Sequence, residues 1–172
     1  MHKEQQDFCD RLKGRFRHLF EGRSVLDCGS LDVNGNNRYL FSGGSYWGID
    51  LVDGPNVDQV CLIHEFIGGP FDVVISTEVL EHDKHLQGSM ARMIDLLKTD
   101  GMLVITCATI GRQEHGTKSC LPYASPGTID YYRNVTPAEL AEPLSKSFHC
   151  WSVEVHHGDL YAWATHKKNL TG

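Results

Sequence analysis

The sequence has six cysteines, at 9, 28, 61, 107, 120 and 150, but no C-x-x-C pair. That removes the usual zinc-ribbon and thioredoxin-type signatures, and the expectation is reduced, mostly buried thiols. No apolar run approaches the ~20 residues of a membrane span. The opening MHKEQQDFCDRLKGRF carries no apolar stretch of the secretory kind. The reading is a cytoplasmic protein with no membrane partner. Positive charge is also scarce: Lys+Arg number 16 against 22 for Asp+Glu, a net charge of -6, so no global attraction toward nucleic acid exists. Phosphate-cradling loops are missing too, since neither G-K-[ST] nor G-x-G-x-x-G occurs.

What remains is an ordinary globular balance, 41% hydrophobic and 22% charged over 172 residues, which excludes a disordered tail or a fibrous repeat. A single domain over residues 1–172 suits that length. Phe8, Leu12, Phe16, Leu19 and Phe20 recur at helical spacing over residues 4–20. Four short apolar runs follow: Ser24–Cys28, Tyr46–Ile49, Val57–Ile63 and Phe71–Ser76. Continuous rather than alternating, they read as parallel strands covered on both faces. Leu86, Met90, Met93, Ile94 and Leu97 predict a second helix over 85–98, stopped by Asp100-Gly101, with a fifth strand from Met102. Residues 107–135 form a long polar stretch of the sort usually kept for function. Thr136-Pro137 opens a third helix through about Leu144. Strands near 148–156 and 160–167 flank His157-Gly158-Asp159, a hairpin signal. The order predicts a doubly wound α/β domain closed by an antiparallel pair, with second and third crossovers too short for full helices.

The strongest chemical signal is Val25-Leu-Asp-Cys-Gly-Ser-Leu-Asp-Val-Asn-Gly35. A buried strand ends at Gly29, where the chain must turn, and open α/β sheets bind ligands beside such turns. The second strand ends in Asp50, an acid placed to accept both ribose hydroxyls of a nucleoside. Leu31 stands where a dinucleotide loop needs its second glycine, and Asp32 puts an anion where phosphate would sit. A nucleoside with a cationic tail is favoured instead, stabilised by Asp27 and Asp32, and S-adenosylmethionine fits that description.

The stretches VLDCGSLDVNG, YWGIDLVDGPNVD, FDVVISTEVLEHDKH and LLKTDGMLVIT together resemble class I S-adenosylmethionine-dependent methyltransferases across nearly the whole chain. The nearest likeness is to compact, methyltransferase type 11-like domains with a G-S-x-D-V-N-G first motif, to which R-Q-E-H-G-T over 112–117 and Y-Y-R-N over 131–134 also conform. The resemblance implies a Rossmann-like three-layer sandwich: a mostly parallel seven-stranded sheet with an antiparallel C-terminal strand. It implies S-adenosyl-L-methionine as cofactor. Asp27, Gly29 and Ser30 would line its methionine half, Leu31 would also touch the cofactor, Asp50 would hold the ribose, Leu51 would flank the adenine, and Ser76, Thr77 and Glu78 would face the transferring methyl. Two positions depart from the family: Leu62 replaces the acid that many relatives use on the adenine amino group, leaving backbone, His64 or Glu65 to read it, and Leu31 replaces a glycine.

For chemistry, His115 is the chosen general base, since histidine titrates near neutral pH, with Glu114 or Glu78 orienting it. Arg112 and Arg133 are candidate clamps for an anionic acceptor group, and Tyr131 and Tyr132 candidate walls. His82-Asp-Lys-His85 with Glu78 and Glu81 offers a metal-like set, but it straddles a helix start, where acids are common for dipole reasons, and no metal is assigned. The expected activity is methyl transfer to a small or medium-sized acceptor, in preference to nucleic acid. The acceptor would be bound by the N-terminal helix, the 107–135 stretch and, in a homodimer, a second subunit. A non-catalytic S-adenosylmethionine-binding module or partner subunit, and a methyltransferase of nucleic acid or protein, are the competing readings.

Overall fold

The computed structural model describes residues 3–168. Its elements run α1 (Lys3–Arg15), β1 (Val25–Cys28), β2 (Tyr46–Asp50), β3 (Gln59–Val60), β4 (Phe71–Thr77), α2 (Leu86–Asp95), β5 (Leu97–Ala108), α3 (Pro137–Ser147), β6 (Phe148–His156) and β7 (Asp159–Lys167). All seven strands join one sheet in the order β3-β2-β1-β4-β5-β7-β6. The pairs among β1 to β5 are parallel, whereas β7 runs antiparallel to both β5 and β6. The expected architecture, a mostly parallel seven-stranded sheet with a reversed C-terminal strand, is therefore present.

Strand alternation divides the core into two layers. Val25, Val73, Ile75, Met102 and Val104 point to one face, where Phe8 and Leu12 of α1 cover them. Leu26, Val74, Leu103 and Ile105 point to the other, beneath Met90 and Met93 of α2 and Leu140 and Leu144 of α3. Because β1 alternates, Asp27 shares the α1 face with Val25 and is 1% exposed. α3 starts on the expected signal: Pro137 occupies its first turn, and the Glu139 carboxylate accepts the Thr136 backbone N–H at 2.9 Å.

Three elements differ from the sequence expectation. The run Val57–Ile63 yields only the two-residue edge strand β3, after which Ile63–Glu65 form a 3-10 turn. The first crossover, like the second and third, carries no α-helix, only the 3-10 turn Arg38–Leu40, consistent with its Asn- and Gly-rich loop. β5 begins at Leu97 rather than Met102. Leu97 pairs with Phe71 and Met102 with Val73, so the intervening Lys98–Gly101 segment bulges out of register.

Candidate functional site

At the carboxyl ends of β1, β2 and β4 the chain leaves the sheet through three loops that surround a cavity of about 350 Å³. The first loop turns at Gly29, whose φ is +86°. Its next backbone N–H groups fold over β2: Gly29 and Ser30 donate to the Ile49 carbonyl at 2.8 and 3.0 Å. Leu31 then donates to Asp50 Oδ2 at 3.1 Å. A Cβ on Gly29 would lie 2.0 Å from Cγ2 of Val79, so the chain's own packing demands glycine here. Asp32 stiffens the same loop, accepting from Gly35 N at 2.7 Å and from Asn36 Nδ2 at 2.6 Å.

Asp27 lies at the cavity floor. It accepts hydrogen bonds from the Tyr46 hydroxyl and, at 3.3 Å, from Asn37 Nδ2, which also donates to Thr77 Oγ1 at 3.0 Å. Burial pushes its pKa up to about 6, against the lowering pull of those donors. Asp50 is likewise raised by burial, although its carboxylate accepts backbone N–H groups from Leu31 and Val52. Asn37 and Gln5 also line the cavity, and Asn37 Oδ1 and Gln5 Oε1 are buried acceptors with no hydrogen-bond partner among the described residues.

The third loop begins with a strained residue. Glu78, directly after β4, adopts φ +58°, the left-handed region that costs a non-glycine residue roughly 1–2 kcal/mol. The reversal directs Val79 against Gly29 and carries Leu80–His82 into a 3-10 turn. Glu81 is fully buried there, with Oε1 accepting the Ala108 N–H at 3.2 Å. Burial, then the nearby Glu78 charge, pushes its pKa well above the usual carboxylate range. Burial lowers His82 to about 4, so its imidazole is neutral at pH 7.

The 107–135 stretch crosses the cavity mouth. Ser125 and Thr128 line it, and a Cβ on Gly127 would lie 2.8 Å from Val52 Cγ2, showing how closely the stretch packs on the end of β2. Lys84 and Asp130, paired at 2.6 Å, tie it to the turn before α2.

Of the residues singled out in the sequence, Asp27, Gly29, Ser30, Leu31, Asp50, Leu51, Thr77 and Glu78 border the cavity. Ser76 is fully buried beneath it. His64 packs on His85, with ring centroids 4.4 Å apart, and the wall is formed by its neighbours Leu62 and Ile63. His115 sits beside His82 and Tyr132, with ring centroids at 5.3 and 4.9 Å. Glu114 instead braces its own loop, accepting from Thr117 Oγ1 at 2.6 Å and Ser119 Oγ at 3.1 Å. Arg112 grips the Asp159 carboxylate with contacts of 2.9 and 2.7 Å, and Arg133 grips Glu139 at 3.1 and 2.8 Å. The Tyr131 hydroxyl accepts from Arg133 Nε at 3.1 Å, and the Tyr132 hydroxyl donates to Asn134 Oδ1 at 2.8 Å. Asn37 and Gln5 were not among the sequence candidates. The asparagine-rich loop signalled a turn, but nothing in it marked which amide would be buried beside Asp27.

No protein-family model matches the chain, and no curated protein matches it in sequence. Solved structures do match in three dimensions. One is the Burkholderia thailandensis 1,6-didemethyltoxoflavin N1-methyltransferase with 1,6-didemethyltoxoflavin and S-adenosylhomocysteine bound. It superposes with a TM-score of 0.65 at 21% identity, over 96% of this chain and 78% of that one. The chain has the fold of the class I methyltransferases. A Haemonchus contortus phosphoethanolamine N-methyltransferase, in complex with phosphomonomethylethanolamine and S-adenosylhomocysteine, matches with TM-score 0.62 at 25% identity; the match covers 87% of this chain and only 38% of that one. The magnesium protoporphyrin IX methyltransferase of Synechocystis, with S-adenosylhomocysteine bound, matches with TM-score 0.62 at 16% identity, over 94% and 82% of the two chains. Among the described residues, no helix is long and apolar enough to cross a membrane.

Proposed function

We propose that the protein is an S-adenosylmethionine-dependent methyltransferase acting on a small or medium-sized acceptor. The observation that carries the reading is the cavity at the tips of β1, β2 and β4, bordered on one side by the Asp50 carboxylate and on another by unpartnered acceptors. Its volume falls in the usual range of roughly 300–1,000 Å³ for small-molecule sites. The donor and acceptor pattern fits a cationic nucleoside. Each Asp50 oxygen accepts one backbone N–H and keeps lone-pair capacity for a ribose hydroxyl. Leu51, Leu62 and Ile63 supply an apolar wall for a base. Asp27, Asn37 Oδ1 and Gln5 Oε1 offer acceptors to an ammonium group with three donors, with Asn37 Nδ2 already given to Asp27 and Thr77.

When bound, S-adenosylmethionine supplies a methyl group on a sulfonium, so good a leaving group that the protein's task is placement and exclusion of water. In this chain Asp50 and Asp27 fix the two ends of the cofactor. The Gly127 segment shields the mouth, and Glu78 and His82 border the side left for the acceptor. The solved neighbours named above include enzymes whose bound acceptors are small molecules, which supports an acceptor of that class. A cytoplasmic setting is part of the same reading, supported by six free cysteines. So is a homodimer, in which a second subunit helps enclose the acceptor.

Titration calorimetry with S-adenosylhomocysteine and with NAD tests the cofactor, and labelled-methyl incorporation into fractionated small-molecule extract tests turnover. Binding of S-adenosylhomocysteine alone, with label appearing in a small product, is the expected result. No heat with S-adenosylhomocysteine overturns the proposal; binding without transfer to any fraction favours a non-catalytic module.

A further inference from the structure

The least conventional part of the molecule lies behind the cavity wall, where Glu81, His82 and His115 converge. Their donor atoms all lie within 4.8 Å of one another, although they come from the 3-10 turn after β4 and from the loop after β5. We infer that these three side chains hold one divalent transition-metal ion of the zinc class.

Four observations carry this. Glu81 is 0% exposed, and its Oε2 has no hydrogen-bond partner among the described residues, an arrangement that a cation would complete. Each imidazole has its Nδ1 against a backbone carbonyl, His82 on Tyr131 O at 3.3 Å and His115 on Gln113 O at 3.1 Å. A carbonyl only accepts, so both Nδ1 atoms carry the proton and both Nε2 atoms offer lone pairs, the second-layer bonding typical of ligating histidines. Nε2 of His115 lies 3.9 Å from Glu81 Oε1. Donors around a tetrahedral zinc stand about 3.4 Å apart, so separations of 4.8 Å or less must close by up to about 1.4 Å, within reach of side-chain rotation. Finally, Gly116 packs closely on the edge of His82: a Cβ there would lie 2.8 Å from Cε1 and 3.3 Å from Nε2, so bare backbone holds the imidazole in place.

Two imidazoles with one carboxylate suit zinc or iron rather than magnesium or calcium, which prefer oxygen throughout. Three protein donors leave at least one coordination position. His82 borders the cavity, so that position is available to an oxygen, nitrogen or sulfur atom of a ligand there. Use of the ion to grip the methyl acceptor rests on the methyltransferase reading; the ion's binding does not. On this assignment the Nε2 atom of His115, read from sequence as a base, is a ligand atom.

The test uses the full chain, stripped by chelator dialysis and titrated with Co2+, read by its visible ligand-field absorption, then with Zn2+ as competitor. One cobalt per chain, displaced by zinc, is expected. Glu81→Gln and His115→Ala should each weaken cobalt binding by at least about tenfold. His156→Ala, at an exposed histidine on the β6–β7 hairpin, should leave it unchanged. If Glu81→Gln does not fold, His115→Ala on its partly exposed loop decides. An unaltered spectrum in His115→Ala overturns the site, as does absence of a cobalt signal. Calorimetry with S-adenosylhomocysteine on the same samples separates the two claims: cofactor binding without cobalt refutes the ion alone, and cobalt binding without cofactor refutes the cofactor reading alone.

Discussion

The carboxylate of Asp50 accepts the backbone N–H of Leu31 through Oδ2 at 3.1 Å, across the cleft between the ends of β2 and β1. One side chain therefore both fixes the first loop and presents itself to the cavity. Replacing it with alanine should cost two things at once. Asp50→Ala is expected to weaken S-adenosylhomocysteine binding by at least about tenfold, in line with the roughly 1.5–3 kcal/mol of hydrogen bonds to a charged group. A modest fall in melting temperature should accompany it. Calorimetry showing the wild-type dissociation constant would remove the cavity from consideration as the cofactor site.

Asp27 predicts a pH dependence of unusual sign. Burial, which disfavours the charge, pushes its pKa up to about 6 in the folded chain, against 3.8 for an ordinary exposed aspartate. The folded state thus holds more protons between pH 4 and 6, and stability from this group falls as pH rises through that window. The loss is on the order of 3 kcal/mol by pH 7. Asp27→Asn, which can still accept from Tyr46, should flatten the slope in urea titrations run at pH 4, 5, 6 and 7. A cationic methionine tail favours the ionised carboxylate, so affinity for S-adenosylmethionine should rise across the same window in the wild type only. Parallel stability profiles for the two proteins would show that Asp27 ionises normally.

Gly29 is held to glycine by Val79 as well as by its positive φ. Gly29→Ala should destabilise the fold by about 2–5 kcal/mol, combining overpacking with left-handed strain. Val79→Ala removes the Cγ2 atom that an added Cβ would strike and leaves the Val79 Cβ at 3.1 Å, so the double variant should recover most of the overpacking cost while keeping the strain. Urea denaturation of all four proteins measures the coupling. Strict additivity would mean that the obstacle lies elsewhere.

Sequence reading reached the fold well and the site in part, for physical reasons visible in particular residues. Strands buried on both faces, such as Val73–Ile75, announce themselves as unbroken apolar runs, and the acid closing β2 stands out at the end of one. β5 begins earlier than expected because Lys98, Thr99 and Asp100 look like a helix stop; strand assignment there depends on pairing with β4, which lies outside the local pattern. His85 shares a local spacing with His82, yet the partner that the fold supplies is His115, brought across from the loop after β5. Arg112 and Arg133 read as clamps in the sequence because their partners Asp159 and Glu139 are supplied by tertiary structure or by a helix cap, which no local pattern shows.

The Arg112–Asp159 pair gives a prediction that separates structure from substrate binding. Asp159 is 4% exposed at the start of β7, and the pair ties the loop after β5 to the final hairpin. Asp159→Ala should lower stability by about 3 kcal/mol, since it removes a buried carboxylate that a partly buried guanidinium grips twice. Arg112→Ala should lower it as well, with affinity for S-adenosylhomocysteine held at the wild-type value. A drop in that affinity without a drop in urea midpoint would place Arg112 on the cofactor, whereas its reading as a clamp for the acceptor is tested by the acceptor's KM.

Gln5 gives the amino-terminal helix a share in the chamber wall, yet that helix cannot settle on its own. Phe8 packs on Tyr161 at 5.3 Å and Phe16 on Trp163 at 5.1 Å, both from the last strand. The seat of α1 therefore combines Val25, Val73 and Met102 of β1, β4 and β5 with Tyr161 of β7. Loosening β7 at Tyr161 or Trp163 should thus be felt inside the chamber, through the helix that carries Gln5.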